Sequence, residues 1–82
     1  MDEEALRNQL EAVFDPQPTV LEQVVRQATR LERQFEEDTD TELTVDLLVE
    51  KLESADRPLK ASWNWWVGAL DFIEDDYEQY QI

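Results

Sequence analysis

Apolar residues recur along this chain at steps of three and four, the spacing of helices that hide one face and wet the other. Leu6, Leu10, Val13 and Phe14 form the first stripe, predicting a helix from about Glu3 to Phe14 behind Asp2 as its cap. Asp15-Pro16-Gln17-Pro18 stops it, because proline restricts the residue before it and donates no backbone hydrogen bond. A second stripe runs through Leu21, Val24, Val25, Ala28, Leu31 and Phe35. Thr19 followed three residues later by Glu22 has the form of a capping box, so this helix is expected to start there and to end near Glu37.

Two more helices follow. Thr44 is placed to cap a short one reaching about Ser54, with Val45, Leu48, Val49 and Leu52 inward and Leu43 and Leu47 at its side. After the turn Ala55-Asp56-Arg57-Pro58, the residues Leu59, Trp63, Trp66, Leu70, Ile73, Tyr77 and Tyr80 alternate steps of four and three, broadened by Val67. That coiled-coil-like seam predicts the longest helix of the chain, from Pro58 or Leu59 to Tyr80. Gly68 inside it points to a close backbone approach or a bend. With no internal repeat, low-complexity segment or dividing linker, residues 1–82 form a single helical domain. The expected architecture is all-α: a small compact bundle of three to four helices with a long, aromatic-rich C-terminal helix.

Charge changes this picture most. Twenty-one acids face seven bases, giving a formal net charge of −14. So large an imbalance pushes a compact chain apart in dilute buffer, whereas at about 1 M salt the Debye length is about 3 Å and the repulsion is screened. A chain that keeps an apolar core under this charge reads as a protein of a halophilic, haloarchaeal cytoplasm. An acidic DNA mimic is the rival reading of the same charge. Direct nucleic-acid binding is disfavoured, since it needs a basic footprint. The absence of cysteine and histidine removes thiol chemistry, disulfides and the commonest general base and metal ligand. No apolar run suits a membrane span, and the start Met1-Asp2-Glu3-Glu4 is the opposite of a basic leader, so a cytoplasmic location without membrane contact is expected.

Against the acidic background two features stand out. Six of the eight aromatic residues lie between Trp63 and Tyr80, and they do not share one face. At about 100° per residue, Trp65 and Phe72 project well away from the seam, with Ala61 and Ala69 beside them. This strip is either covered by the first or third helix or left open as a contact for another protein or a second copy. Arg26, Arg30 and Arg33 form a basic stripe opposite the apolar face of the second helix, free to pair with Glu22 and Glu37 or with an acidic partner. Trp65, Phe72, Ala69, Arg26, Arg30 and Arg33 are therefore the candidate partner-binding residues.

The carboxylate patterns are weaker. Asp38, Asp40, Glu42, Thr44 and Asp46 fall at the alternating positions of an EF-hand loop. Leu43 takes the place of its glycine and Val49 that of its bidentate glutamate, so a solvated acidic loop is expected. Glu50 and Glu53, with Asp71 and Glu74 further on, make two pairs at i, i+3. This resembles the magnesium-binding arrangement of all-helical nucleotide pyrophosphohydrolases of the MazG type, although the second pair runs aspartate then glutamate. The resemblance implies a divalent-metal-dependent enzyme as an alternative. Acyl carrier proteins are similar in size and charge, but Ser54 and Ser62 lack the Asp-Ser-Leu context of their modified serine. With no nucleophile beside a base and no glycine-rich loop, the sequence favours a small non-enzymatic interaction or regulatory module, without cofactor or metal, that binds another protein or itself.

Overall fold

A computed structural model describes residues 1–82 and contains four α-helices: α1 Glu3–Phe14, α2 Pro18–Thr39, α3 Val45–Glu53 and α4 Leu59–Glu74. A one-turn 3₁₀ helix follows at Glu78–Tyr80. α1 packs on α2 and α3, and α4 packs on the same two helices, so the four close around one core. The 3₁₀ turn lies against α2 and α4. Leu6 and Leu10 from α1, Val24 and Leu31 from α2, Leu48 and Leu52 from α3, and Trp63 and Val67 from α4 are fully buried at the centre. This is the all-α bundle that the periodicity predicts.

Helix starts follow local chemistry. The Asp2 carboxylate accepts the amides of Glu4 and Ala5 at 3.0 and 3.2 Å, and Glu3 and Glu4 suit the positive end of the α1 dipole. Thr44 Oγ1 accepts the Leu47 amide at 3.1 Å and caps α3 as expected. The capping box expected at Thr19 does not form. Pro18 opens α2 instead, because its fixed φ suits the first helical position and it has no amide to satisfy. Thr19 thus lies inside the first turn, and the Glu22 carboxylate is taken by Arg7 at 2.7 and 2.9 Å.

Helix ends follow an unusual rule. Asp15, Asp40, Asp56, Asp75 and Asp76 are the non-glycine residues with positive φ, and the single glycine is not among them. Left-handed exits normally use glycine, with aspartate and asparagine the best-tolerated alternatives. Here aspartate serves every time. Each such aspartate after α1, α2 or α4 sets a negative charge at the negative pole of a helix, and none of these three helices has a basic residue in its last turn.

The largest departure from the sequence expectation is at the C-terminus. α4 does not reach Tyr80 but stops at Glu74, so α2, with 22 residues, is the longest helix. Asp75 (φ 59°, ψ 161°) and Asp76 (φ 67°) reverse the chain, and the Asp71 carboxylate fastens the turn by accepting the amides of Tyr77 and Glu78. Tyr77 and Tyr80 are buried as expected, yet they arrive by folding back rather than along a continuing helix. Ile73, expected in the seam, is left 72% exposed by this reversal. Gly68 makes no close backbone contact, since a Cβ there would sit 3.6 Å from Gln81 Nε2, an ordinary distance.

Candidate interaction surface

Trp63-Asn64-Trp65-Trp66, in the first half of α4, organises both faces of that helix. Trp63 is fully buried, and its indole Nε1 donates to the Tyr80 carbonyl at 2.8 Å. Asn64 pairs with the backbone of Ile82 through both ends of its amide: Oδ1 accepts the Ile82 amide at 2.8 Å and Nδ2 donates to its carbonyl at 2.9 Å. Trp66 packs against Phe35 and Trp63, with ring centroids 5.8 and 5.6 Å apart. Three residues of the tetrapeptide therefore hold the core and the returning tail. Trp65 does neither.

Trp65 points outward and is 43% exposed; Phe72, two turns further on, is 91% exposed. Ala61 and Ala69 are exposed between and beside them. By helical geometry Ala61, Phe72, Trp65 and Ala69 fall within about 80° of arc, and Ile73 extends the strip by about 40° more. Neither α1 nor α3 covers it. α3 packs on the inner side of α4, and α1 lies on the far side of α2 and α3. Trp65, Phe72 and Ala69 share one strip, as their spacing predicts. Ile73 joins the strip against expectation, because the helix stops at Glu74 and does not continue and bury it. The role of Asn64 was also missed, although an asparagine amid aromatic residues in a helix is itself a sign of a hydrogen-bonding task.

The basic stripe lies on α2, a separate surface. Arg26, Arg30 and Arg33 are all exposed. Arg33 pairs with Glu37 at 3.2 Å, the i, i+4 contact expected, but Glu22 pairs with Arg7 and not with Arg26. Arg30 donates to Gln27 at 2.8 Å and lies 5.6 Å above the Tyr80 ring, so it helps to hold the tail. Arg26 lines a shallow cleft with Glu3, Arg7, Glu22, Thr29 and Arg30. The Arg7 bond lowers the Glu22 carboxyl below its ordinary value.

The carboxylates that suggested metals are spent elsewhere or stand apart. The Tyr77 hydroxyl donates to Asp38 at 2.9 Å, Asp40 terminates α2, Glu36 accepts the Leu43 amide, and Thr44 caps α3. Burial, followed by that hydrogen bond to Asp38, pushes the Tyr77 phenol above its ordinary value. Asp71 fastens the C-terminal turn. No three carboxylates converge on a point where a metal ion would sit, either in the EF-hand-like loop or between Glu50, Glu53, Asp71 and Glu74. No helix is long and apolar enough to cross a membrane.

Residues 1–71 match a protein family described as the WNWW domain, whose name spells the tetrapeptide Trp63-Asn64-Trp65-Trp66. Neither a curated protein nor a solved structure matches the chain.

Proposed function

This chain belongs to the WNWW domain family, and from that premise we propose that it is a small non-enzymatic docking module of a salt-rich cytoplasm. Its working surface is the outer face of α4. One observation carries the reading: on a surface dominated by carboxylates, Trp65, Phe72 and Ile73 stand 43, 91 and 72% exposed on one side of one helix. Exposed large apolar side chains gathered in this way favour aggregation unless something binds them, and tryptophan is among the side chains that most often anchor protein interfaces. The tetrapeptide sharpens the point, since the fold uses Trp63, Asn64 and Trp66 and leaves Trp65 without an internal task.

Salt belongs to the same reading. The net charge of −14 and the aspartates at helix C-termini both raise the energy of the folded chain in dilute buffer, and both effects fade as ions screen them. The docking surface, being apolar, keeps its strength where salt bridges weaken.

Photo-crosslinking in the native host tests the surface. A benzoyl-phenylalanine at position 72 is expected to give a discrete protein adduct, and the same probe at Gln9 on α1 is expected to give none. Absence of any adduct from positions 65 and 72 at native salt removes the docking reading. A thermal melt tests the salt reading, which requires a higher midpoint in molar than in millimolar potassium chloride.

A further inference from the structure

We propose that residues 77–82 form an exchangeable strap. The groove between α2 and α4 takes this segment from a second copy as well as from its own chain, with Asp75-Asp76 as the hinge. The outer face of α4 has no part in it.

What the groove holds gives the first argument. The strap runs back beside α4, so that Tyr80 reaches Trp63 and Ile82 reaches Asn64. The Trp63 indole donates to the Tyr80 carbonyl, and the Asn64 amide takes both main-chain groups of Ile82. From α2, Gln34 accepts the Tyr80 hydroxyl at 2.7 Å, Asp38 accepts the Tyr77 hydroxyl at 2.9 Å, and Arg30 covers the Tyr80 ring. Both tyrosines are buried between the two helices. None of these contacts runs through the covalent link at Asp75-Asp76. Even the Asp71 carboxylate, which accepts the Tyr77 and Glu78 amides, meets the same amides on any strap seated there. The segment is therefore held as a ligand is held. An identical segment from another copy makes every one of the same bonds.

The hinge gives the second argument. Asp75 (φ 59°, ψ 161°) sits in a region that glycine alone visits freely, and Asp76 (φ 67°) follows it in the left-handed region. Both carry a Cβ, so the closed turn is strained at two consecutive residues. When the hinge straightens, both return to negative φ and α4 runs on past Glu74. A short hinge under strain favours exchange of the element it carries, because the contacts are kept and the strain is lost. Strain of this kind weighs against the closed turn by roughly 10-fold or more per copy. A segment on a short relaxed linker meets its own site at an effective concentration of about 1 mM, and the strain lowers that figure. Exchange therefore competes at protein concentrations below it.

Topology and charge set the conditions. A straightened hinge carries the strap onward along its own α4, whereas a seated strap runs antiparallel to the α4 beneath it. The two α4 helices of an exchanged pair thus run antiparallel, with their C-terminal ends at the two-fold axis. Glu74, Asp75, Asp76 and Glu78 of both copies meet there, all of them exposed. In dilute buffer their repulsion opposes exchange. At about 1 M salt the Debye length is about 3 Å and the repulsion is screened.

Refolding tests this, since the buried tyrosines must leave the groove before a strap can change owner. The full chain is refolded from denaturant into about 1 M potassium chloride, at about 1 mM and at about 1 µM protein, and its mass is read by light scattering behind size-exclusion chromatography. The expected result is a dimer in the concentrated sample and a monomer in the dilute one, with less dimer at about 0.1 M salt. Hinge variants are expected to move it in opposite directions. Asp75→Gly with Asp76→Gly relaxes the closed turn and lowers the dimer fraction several-fold, whereas Asp75→Ala with Asp76→Ala favours the straight helix and raises it. Cysteines report where the strap sits, because a Cβ at position 68 lies 3.6 Å from the Gln81 side chain and the chain has no cysteine of its own. Gly68→Cys and Gln81→Cys chains refolded together are expected to form a mixed disulfide much faster than Gln9→Cys with Gln81→Cys. A chain that is wholly monomeric after concentrated refolding overturns the proposal. So does a dimer whose amount ignores both hinge variants. A dimer that Trp65→Ala abolishes also overturns it, because that dimer is built on the outer face and belongs to the docking reading.

Discussion

Trp63 and Trp65 are the same side chain two residues apart on one helix, and the structure treats them oppositely. The inner face of α4 carries Trp63, Trp66, Val67 and Leu70, all buried against α2, α3 and the returning tail. The outer face carries Trp65, Phe72 and Ile73, which the monomer leaves open. Hydrophobicity does not separate the two faces. Their neighbours do: α4 has helices on one side only, and a helix that is apolar over a wide arc needs neighbours around that whole arc. The inner aromatics accordingly do folding work and hold hydrogen bonds, whereas the outer ones are energetically idle until something covers them.

The strongest way to break this contrast is to remove an inner tryptophan. Trp63→Ala deletes a fully buried indole and its bond to the Tyr80 carbonyl, so a loss of about 3–5 kcal/mol in a denaturant melt is expected. For a domain this small that is a large share of the total stability. A loss under about 1 kcal/mol would mean that the inner face is not the core and that the contrast has been drawn in the wrong place.

The turn that ends α4 and leaves Ile73 on the outer face provides the next test. Asp75 occupies a glycine-type conformation at φ 59° and ψ 161°, which costs a residue with a Cβ about 1–3 kcal/mol. Asp75→Gly relieves it, at an offset of about 0.5–1 kcal/mol for the freer unfolded chain. The expected net gain is about 1 kcal/mol, read as a higher melting midpoint, with Asp75→Ala giving no such gain. A lower midpoint for Asp75→Gly would show that α4 runs on as a continuous helix, and Ile73 would then belong to the inner face after all.

Tyr77 tests the tail with pH. Burial and the Asp38 carboxylate favour the neutral phenol, so the folded value is raised above the ordinary 10.0. The unfolded tyrosine therefore ionises first. Stability from this group is complete below pH 10 and is lost as pH rises toward the folded value. Tyr77→Phe is expected to cost about 1 kcal/mol near neutrality and to flatten the alkaline decline. An alkaline decline equal in the two proteins would detach Tyr77 from the inner face.

How much of this was legible follows from which residues carry unambiguous signals. Asp2 and Thr44 cap as their positions suggest, and the α2 stripe is buried throughout. α1 buries Leu6 and Leu10 but leaves Phe14 half-buried and Val13 42% exposed near its end, and α3 buries Leu48, Val49 and Leu52 with Val45 half-buried. Thr19 misled because Pro18 competes for the helix start and wins. The end of α4 was hidden for two reasons. Tyr77 and Tyr80 keep a heptad spacing whether the helix continues or the chain turns back. The turn itself is made by aspartates, while the only glycine lies quietly in mid-helix. Trp65, Phe72 and Ala69 were legible as a strip because angular position depends on the period alone. Their exposure was not, since it depends on where α1 and α3 lie. The stacking of Arg30 on Tyr80 was hidden for the same reason as the turn.

The smallest expected effect is the most discriminating. Trp65→Ala removes the largest side chain type from the helix that carries the core, and on composition alone it resembles Trp63→Ala. The structure gives Trp65 no hydrogen bond and leaves it 43% exposed where Trp63 is fully buried, so cutting it back returns less apolar area to water than cutting back Trp63. Alanine also favours the helix more than tryptophan does, which offsets part of the remaining contact. The stability of the monomer is therefore expected to fall by no more than about 1 kcal/mol, well short of the loss for Trp63→Ala. The measurement must be made at low protein concentration, below any self-association, since a partner that binds only the folded chain raises apparent stability by mass action. If the loss stays small when dilute but grows as concentration rises, the outer face acts between molecules. A loss of several kcal/mol at every concentration would instead make Trp65 a core residue, and the division of α4 into a folding face and a docking face would fall.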